Sequence, residues 1–471
     1  MKNLNYNNKI KTYLNSNPTL GDEELENLLT IDSLYTEAPD DLEIFREVYA
    51  HLDPHVIHES HEGINFTRIA QSTEGHKELK RYLNNYINIK FNDIENLKSY
   101  EDNMVLFKKY SKFASGIIDE ILDTADFPGE IISLFKERKE VRECNDLYQM
   151  LEIYKSTSSD RVRFEIMRKL GLIVLIARIN RSINVEYLDY EMKKVIRAFG
   201  KGLGFNNAKK GLCYLWLNCQ NRVSYEWDKE RANYLYNQEI KRRQRLALGT
   251  YPLQKLNYHT FDTNTGNKII NLECRNKFKK GNRICYASFV EKMIRKNLEF
   301  PNQVHDVIGL KIVIKSENDI SEIIHDLEKF LGGSSTRKRE KNTYHKFNKR
   351  FLNDYSSKDY YVWKAIYDVT LTHPSADHIK NVIDLTSDEK TKRELKNRLE
   401  YFLQNPQDFV IEVQLQDIES YLLSITNGSP TDHKKLKMSQ IRNNSFYKFF
   451  PQEIYEKELL NLKLRILDKN K

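Results

Sequence analysis

The chain has 471 residues, and this length favours two or three domains over a single ordinary core. Hydrophobic residues make up 40% of the chain and charged residues 30%, which indicates a soluble globular protein. With only 17 glycines and 10 prolines the composition argues against long disordered tracts, and the net charge of +8 weakly favours polyanionic partners.

The cysteines indicate a reducing compartment. There are 5 of them and no Cys-x-x-Cys occurs, which argues against a disulfide framework and against a structural zinc site. The sequence has no signal-peptide pattern at its start. The longest apolar run, residues 170–177, is too short to span a membrane and predicts a buried helix. We therefore expect a cytoplasmic protein with no membrane partner.

Residues 1–224 are predicted to form an all-helical domain whose role no motif reveals. Apolar residues recur at helical spacing in the segments 22–29, 41–51, 78–87, 103–123 and 161–179. Four histidines between positions 51 and 61 have spacings that suit a metal, but they surround Pro54, so we interpret them as surface or loop residues. The glycine-rich stretch 200–204 lacks a preceding strand and a terminal Lys-Ser/Thr, and we interpret it as a turn.

Residues 225–248 resemble a long basic helix that ends in the cationic run 241–245. The interpretation we favour is a solvated helix face, and the alternative is a contact with RNA phosphates. Residues 251–274 predict a pair of strands around a turn at 264–267.

The stretch 275–314 carries the strongest signal of chemistry. A cationic loop leads into a predicted helix on which Ser288, Lys292 and Lys296 are spaced by four and share one face. Asp306 then stands at the head of an apolar strand. Cations followed by a carboxylate at a strand edge suit a polyphosphate and its metal ion, although an ordinary helix–strand unit with a solvated basic face explains the pattern equally well.

Two later segments add to this signal. A basic loop with interleaved aromatic residues, 336–351, precedes Tyr355 and a strand-like segment that begins at Trp363. Residues 409–416 form an apolar strand pattern that contains Glu412. A carboxylate inside such a strand requires a cation or a metal as its partner. A basic helix over 451–471 ends the chain.

These fragments, in this order, resemble the synthetase domain of the RelA/SpoT-type alarmone synthetases. The resemblance covers residues 225–450, about half of the chain. The family's Asp-x-x-Gly-x-Arg pattern is matched from Asp306 to Lys311, and its Glu-Val/Ile-Gln pattern is matched from Glu412 to Gln414. The chain departs from the family at five positions, where other residues replace its Arg, Tyr, His, Arg and Thr: Lys311, Trp363, Tyr367, Gln416 and Asp417.

The resemblance implies a fold and a reaction. The fold class is α+β, with the all-helical domain followed by a nucleotidyltransferase-like mixed sheet flanked by helices over 225–450 and by the C-terminal helix 451–471. The reaction is transfer of pyrophosphate from ATP to the ribose 3′-hydroxyl of GDP or GTP, which makes (p)ppGpp, with Mg²⁺ as the cofactor. The long members of the family carry a hydrolase domain built around adjacent His-Asp, which residues 1–224 lack, so we expect no alarmone hydrolase activity.

The resemblance also implies roles for individual residues. Asp306 and Glu412 would hold the metal, and Glu412 would also act as general base. The ATP-binding residues would be Arg275, Lys277, Arg283, Ser288, Lys292 and Lys296, with either Arg275 and Lys277 or Arg283 in the loop role. The acceptor-binding residues would be Lys311, Tyr355, Trp363, Lys364, Tyr367 and Gln414. Trp363 would stack on the acceptor base, and the alternative is that Trp363 and Tyr367 are strand core residues.

Two further functions remain open. The first keeps the chemistry and changes the acceptor to an adenine nucleotide or the tRNA 3′ end, as in relatives that act as toxins with a neutralising protein or segment. The second is a catalytically inactive protein that binds RNA or regulates a partner.

Overall fold

A computed structural model describes most of the chain from Ser99 onwards. The described ranges are 99–183, 206–262, 268–280, 283–298, 300–304, 306–315, 321–325, 362–370, 408–426 and 432–468, together with single positions between them. The helices predicted at 22–29, 41–51 and 78–87, and the histidines at 51–61, lie outside the described residues.

The described residues divide into two compact units. The helical unit consists of three segments of the chain: the described residues up to Ile183, the described residues of Cys285–Pro301 and the described residues of Lys437–Lys471. The sheet unit takes in those of Asn184–Ile284 and Asn302–Leu436. Each unit is therefore assembled from separate segments of the chain.

The helical unit contains nine described α-helices. They are α1 (Tyr100–Ala125), α2 (Gly129–Phe135), α3 (Lys139–Glu143), α4 (Leu147–Ser156), α5 (Asp160–Ser182), α7 (Ala287–Arg295), α9 (His433–Gln440, which begins at the edge of the sheet unit), α10 (Phe446–Phe449) and α11 (Gln452–Asp468). Short polar side chains begin several of them: Ser99 accepts a hydrogen bond from the Asp102 amide, and Ser159 accepts one from the Val162 amide. The helices predicted at 103–123 and 161–179 are thus confirmed, and residues 170–177 are buried.

Aromatic side chains fill the core of the helical unit. The Phe135 ring lies 4.9 Å from that of Phe446, and the Phe446 ring lies 4.7 Å from that of Phe450, measured between centroids. Tyr455 on α11 joins this cluster at 5.2 Å from Phe135. The C-terminal helix predicted at 451–471 is confirmed over Gln452–Asp468, and its one aromatic residue, Tyr455, stabilises the helical unit by apolar burial.

The sheet unit is built on a mixed sheet of seven described strands. These are β1 (Asn206–Leu217), β2 (Val223–Glu226), β3 (Gln254–Asp262), β4 (Lys268–Asn276), β7 (Ile308–Ile314), β8 (Trp363–Thr370) and β9 (Asp408–Asp417), in the order β2-β1-β3-β4-β7-β9-β8. Strands β7 and β9 are parallel, and the other neighbours are antiparallel. Strands β5 (Lys279–Lys280) and β6 (Arg283–Ile284) form a separate hairpin. Helices α6 (Lys229–Arg245) and α8 (Ile418–Ile425) also belong to this unit, and residues 321–325 are helical.

The four central and edge strands β4, β7, β9 and β8 have one polar and one apolar face. Cross-strand partners point to the same face of a sheet, and alternate residues share a face. The register pairs Arg275 with Gly309 and Gly309 with Glu412, and it pairs Glu273 with Lys311 and Lys311 with Gln414. The intervening residues of β7 and β9 are buried and apolar: Ile308, Leu310, Ile312, Ile411, Val413 and Leu415.

Several predicted boundaries differ from the structure. Residues 206–217, expected to be helical, form β1, and their apolar run pairs in the sheet with β3. The basic helix expected from residue 225 begins at Lys229, because Asp228 caps it and Tyr225 belongs to β2. The strand pair expected over 251–274 is confirmed as the antiparallel strands β3 and β4. The α+β class is thus borne out, whereas most of the predicted N-terminal helical region lies outside the described residues.

In the part of the chain that the structure describes, no helix combines the length and the apolar character that crossing a bilayer requires.

Candidate functional site

Glu412 lies at the centre of the polar face. It is the fifth residue of β9, and it has strand β7 on one side and β8 on the other. Glu412 is only 3% exposed to solvent. The carboxylate pairs with the Lys364 amine, accepts a hydrogen bond from the Gln414 amide nitrogen, and lies 3.7 Å from an Arg275 guanidinium nitrogen. The predicted cationic partners of this carboxylate are therefore present, since a buried charge requires them.

Gly309 makes room for the arginine of this group. It lies between Arg275 and Glu412 in the cross-strand row. A Cβ atom placed on Gly309 would come within 3.3 Å of the Arg275 Nε atom. A larger side chain would displace the guanidinium, because Arg275 crosses the strand at this position on its way towards Glu412. The glycine of the Asp-x-x-Gly pattern thus leaves the space that the Arg275 side chain occupies.

A second cluster of polar side chains surrounds Lys311 on the same face of the sheet. The Lys311 amine lies 5.6 Å from the centroid of the Tyr421 ring on α8. The Tyr421 hydroxyl bonds to the Glu273 carboxylate and accepts a hydrogen bond of 3.1 Å from the Asn271 amide nitrogen. Burial lowers the pKa of Lys311 to about 8, and Arg275 acts in the same direction, whereas Glu273 and Glu412 oppose the shift. Lys311 is therefore a cation that loses its charge more readily than an ordinary lysine.

This lysine predicts a pH dependence of stability. Between pH 8 and the ordinary lysine pKa the unfolded chain holds the proton that the folded chain has released, so raising the pH stabilises the fold. We expect the free energy of unfolding of the native protein, minus that of Lys311→Met, to increase by on the order of 3 kcal/mol from pH 7.5 to pH 10.5. Urea unfolding at several pH values measures this difference.

The matched control for this prediction is Lys315→Met, because Lys315 is an exposed lysine just past the end of β7. The pH dependence that Lys311→Met shows beyond that of Lys315→Met then belongs to position 311. Parallel curves for Lys311→Met and the native protein would contradict the assignment of a lowered pKa to Lys311.

Asp306 lies just before β7 and is held by a cation of its own. The Lys277 amine donates to both carboxylate oxygens of Asp306, at 2.9 and 2.8 Å. Lys277 follows β4, and its backbone N–H donates to the Val307 carbonyl at 3.0 Å. Glu412 thus lies within β9, Asp306 lies just before the neighbouring strand β7, and each carboxylate is paired with a different cation.

Other expected ATP-binding residues have different positions. Ser288, Lys292 and Lys296 belong to the helical unit, where α7 is held by a hydrogen bond of 2.6 Å from Ser445 to Glu291. Helix α7 ends at Arg295, and Lys296 is its C-terminal cap residue, whose backbone N–H donates to the Lys292 carbonyl at 3.1 Å. Arg283 is exposed and lies in the small β5–β6 hairpin.

The expected acceptor-binding residues are divided between the two faces of the sheet. Lys364 and Gln414 contact Glu412 on the polar face. Trp363 is 2% exposed and pairs with the apolar Leu415, on the opposite face from Lys364. The burial of this ring favours the alternative that Trp363 is a strand core residue over a role in stacking on a base. The backbone of Tyr367 pairs with Ile411, and Tyr355 lies outside the described residues.

Three residues of the polar face were missed by the sequence analysis, namely Asn271, Glu273 and Tyr421. The signal for two of them was present, because Asn271, Glu273 and Arg275 alternate with apolar residues on β4. Tyr421 had no such signal, since its position over Lys311 depends on how α8 packs. There its ring is buried together with Val313 and Leu422.

The donor set suits a hard divalent cation only in part. Asp306 and Glu412 supply carboxylate oxygens, which Mg²⁺ prefers. Within the described ranges no group of three or more His, Cys, Asp or Glu residues is placed to hold a metal. Mg²⁺ is commonly held by one or two carboxylates together with substrate phosphates. In the structure each of these two carboxylates is paired with a lysine, Asp306 with Lys277 and Glu412 with Lys364.

In comparisons with protein-family models, with curated proteins and with solved structures, nothing matched this chain.

Proposed function

We propose that the polar face of the sheet unit is the active site of an ATP-dependent pyrophosphokinase. In this proposal the pyrophosphate of ATP passes to the ribose 3′-hydroxyl of a guanine nucleotide, and (p)ppGpp is the product. The observation that carries the proposal is Glu412, a buried carboxylate in the middle of a strand that is surrounded by the cations Arg275 and Lys364. The proposal also draws on the motif resemblance of residues 225–450.

The surrounding side chains suit a bound triphosphate. The side chains of Arg275 and Lys364 are 43% and 32% exposed, so both can turn from Glu412 towards an incoming phosphate without breaking a buried core. Lys277, just past the end of β4, is a further cation and is paired with Asp306 at 2.8 Å. Charge neutralisation and positioning are most of what transfer of a phosphoryl-type group requires of a protein.

Glu412 would act as the general base. It takes the proton of the 3′-hydroxyl as the hydroxyl oxygen bonds to the β-phosphorus, and AMP leaves with the electron pair of the broken P–O bond. Gln414 holds the carboxylate in place through its amide nitrogen. When bound, Mg²⁺ supplies charge stabilisation at the phosphate oxygens, and Asp306 and Glu412 are the residues that would hold it.

The test is a transfer assay with the full chain. The protein and magnesium are incubated with ATP labelled in its terminal phosphates, and with GDP, GTP, no acceptor or deacylated tRNA. We expect AMP release that depends on GDP or GTP, with the label on the guanine nucleotide. If a folded protein shows no AMP release and no transfer to any of these acceptors, the proposal is contradicted.

Two observations favour a second candidate with a different acceptor. The ring expected to stack on guanine, Trp363, is buried on the apolar face. Lys311 also stands where the family has arginine, with a pKa lowered to about 8 by burial. Label on an adenine nucleotide or on the tRNA 3′ end in the same assay would support this candidate over the first.

A further inference from the structure

A cavity in the helical unit lies among several cationic side chains. Its volume is about 440 Å³, which falls within the range of small-molecule sites, roughly 300–1,000 Å³. Helices α2, α3, α5 and α11 and the connection between α2 and α3 supply its walls. Its cations are Lys136, Arg138, Lys139, Arg161 and Arg465, and its carboxylates are Glu130, Glu137 and Glu458.

Arg161 is the fixed element of this cavity. It is buried, and its guanidinium lies 4.7 Å from the centroid of the Tyr455 ring. The Nε atom donates to Glu165 at 2.8 Å, and one Nη atom donates to the Lys136 carbonyl at 2.8 Å. These contacts hold the guanidinium in one orientation before any ligand arrives, which lowers the entropic cost of binding.

Glu458 joins the two arginines of the cavity. One of its oxygens accepts from Arg161 at 2.8 Å and from Arg138 at 2.6 Å. The Glu458 side chain is 25% exposed, so it can leave the arginines for solvent. A phosphate group presents the same oxygen geometry to a guanidinium and carries more charge than one carboxylate.

We propose that this cavity binds a small molecule that carries a phosphate or pyrophosphate group, which takes the place of Glu458 on Arg138 and Arg161. Lys136, Lys139 and Arg465 are exposed and line the same cavity, so they add charge for a ligand with more than one phosphate. The site does not depend on the proposed reaction, because every residue that forms it belongs to the helical unit.

Calorimetric titration of the full chain with inorganic pyrophosphate, GTP and adenosine tests the proposal. We expect pyrophosphate and GTP to bind, and adenosine, which has no phosphate, not to bind. The double charge reversal Lys136→Glu with Arg465→Glu should weaken this binding about tenfold or more. The matched control reverses Lys108 and Lys112, two exposed lysines of α1 that do not line the cavity, and should change the affinity by less than about twofold.

A second pair of variants tests the exchange of Glu458 for phosphate. Glu458→Gln removes the internal competitor and should strengthen binding several-fold, which is the opposite sign to the charge reversals. Glu456→Gln makes the same change of charge on the exposed side of the same helix and should leave binding close to that of the native chain. Equal effects of the two glutamate variants would overturn the proposal.

Hydrogen exchange distinguishes this cavity from the site on the sheet. With pyrophosphate bound, we expect added protection of the amides in Gly129–Phe135 and Gln452–Asp468. This protection should persist in Glu412→Gln and disappear in the double charge reversal. Protection confined to strands of the sheet unit would assign the binding to the other site and overturn the proposal, even if Glu458→Gln failed to fold.

Discussion

Glu412→Gln should lower pyrophosphate transfer by a hundredfold to about ten-thousandfold, the usual effect of removing a general base. Glutamine has the same shape and keeps a hydrogen-bonding group beside Gln414, but it accepts no proton from a hydroxyl. The fold should survive, because Arg275 and Lys364 are partly exposed and solvent can hydrate them once their partner loses its charge. AMP release from labelled ATP measures the activity, and circular dichroism with thermal unfolding checks the fold.

The control for this variant is Glu419→Gln. Glu419 is exposed on α8 in the same unit, and its substitution changes the net charge by the same amount. Its activity should equal that of the native chain. If a folded Glu412→Gln protein keeps near-full activity, Glu412 is neither the base nor a required metal ligand, and the proposed reaction loses its central residue.

Glu165→Ala should lower the free energy of unfolding of the helical unit by about 3–5 kcal/mol, which is typical when one member of a buried ion pair is removed. Glu165 is 0% exposed. It accepts hydrogen bonds from the Arg161 Nε atom at 2.8 Å, the Arg138 backbone N–H at 2.7 Å and the Tyr455 hydroxyl at 3.1 Å. The substitution leaves these donors without their acceptor, and two of the three hydrogen bonds, those from Arg161 and Tyr455, are buried. Urea unfolding followed by far-UV circular dichroism measures the loss.

Glu140→Ala is the matched control. Glu140 lies in the first turn of α3 and is exposed, so its removal should change the free energy of unfolding by less than about 1 kcal/mol. An equally small effect of Glu165→Ala would mean that the aromatic core holds the helical unit without help from its buried charges.

The strands that carry the candidate site were predictable because their side chains alternate. The segment containing Glu412 and the segment after Asp306 form β9 and β7, as expected from their apolar patterns. That Glu412 would have cationic partners also followed from the cost of an unpaired buried charge. Local periodicity was sufficient for these statements because each concerns one strand and its own two faces.

The pairing of one strand with another was harder to predict from the sequence. Trp363 and Lys364 are adjacent, so they lie on opposite faces, but only the pairing of β8 with β9 decides which of them meets Glu412. In the observed pairing, Lys364 is on the face that carries Glu412. Similarly, residues 206–217 contain an apolar run that suits a helix or a strand, and their pairing with β3 decides the outcome. Long-range register of this kind leaves no mark in a single sequence.

The interleaving of the two units limits how the chain can be shortened. The polypeptide passes from one unit to the other after Ile183, Ile284, Pro301 and Leu436. A truncation that begins at residue 225 would remove β1 and half of β2 from the sheet, and one that stops before Lys437 would take α10 and α11 from the helices. Loss of activity in such deletion fragments would report misfolding rather than a missing function. Co-expression of two halves that are divided in an exposed loop is the better way to separate the parts of this protein.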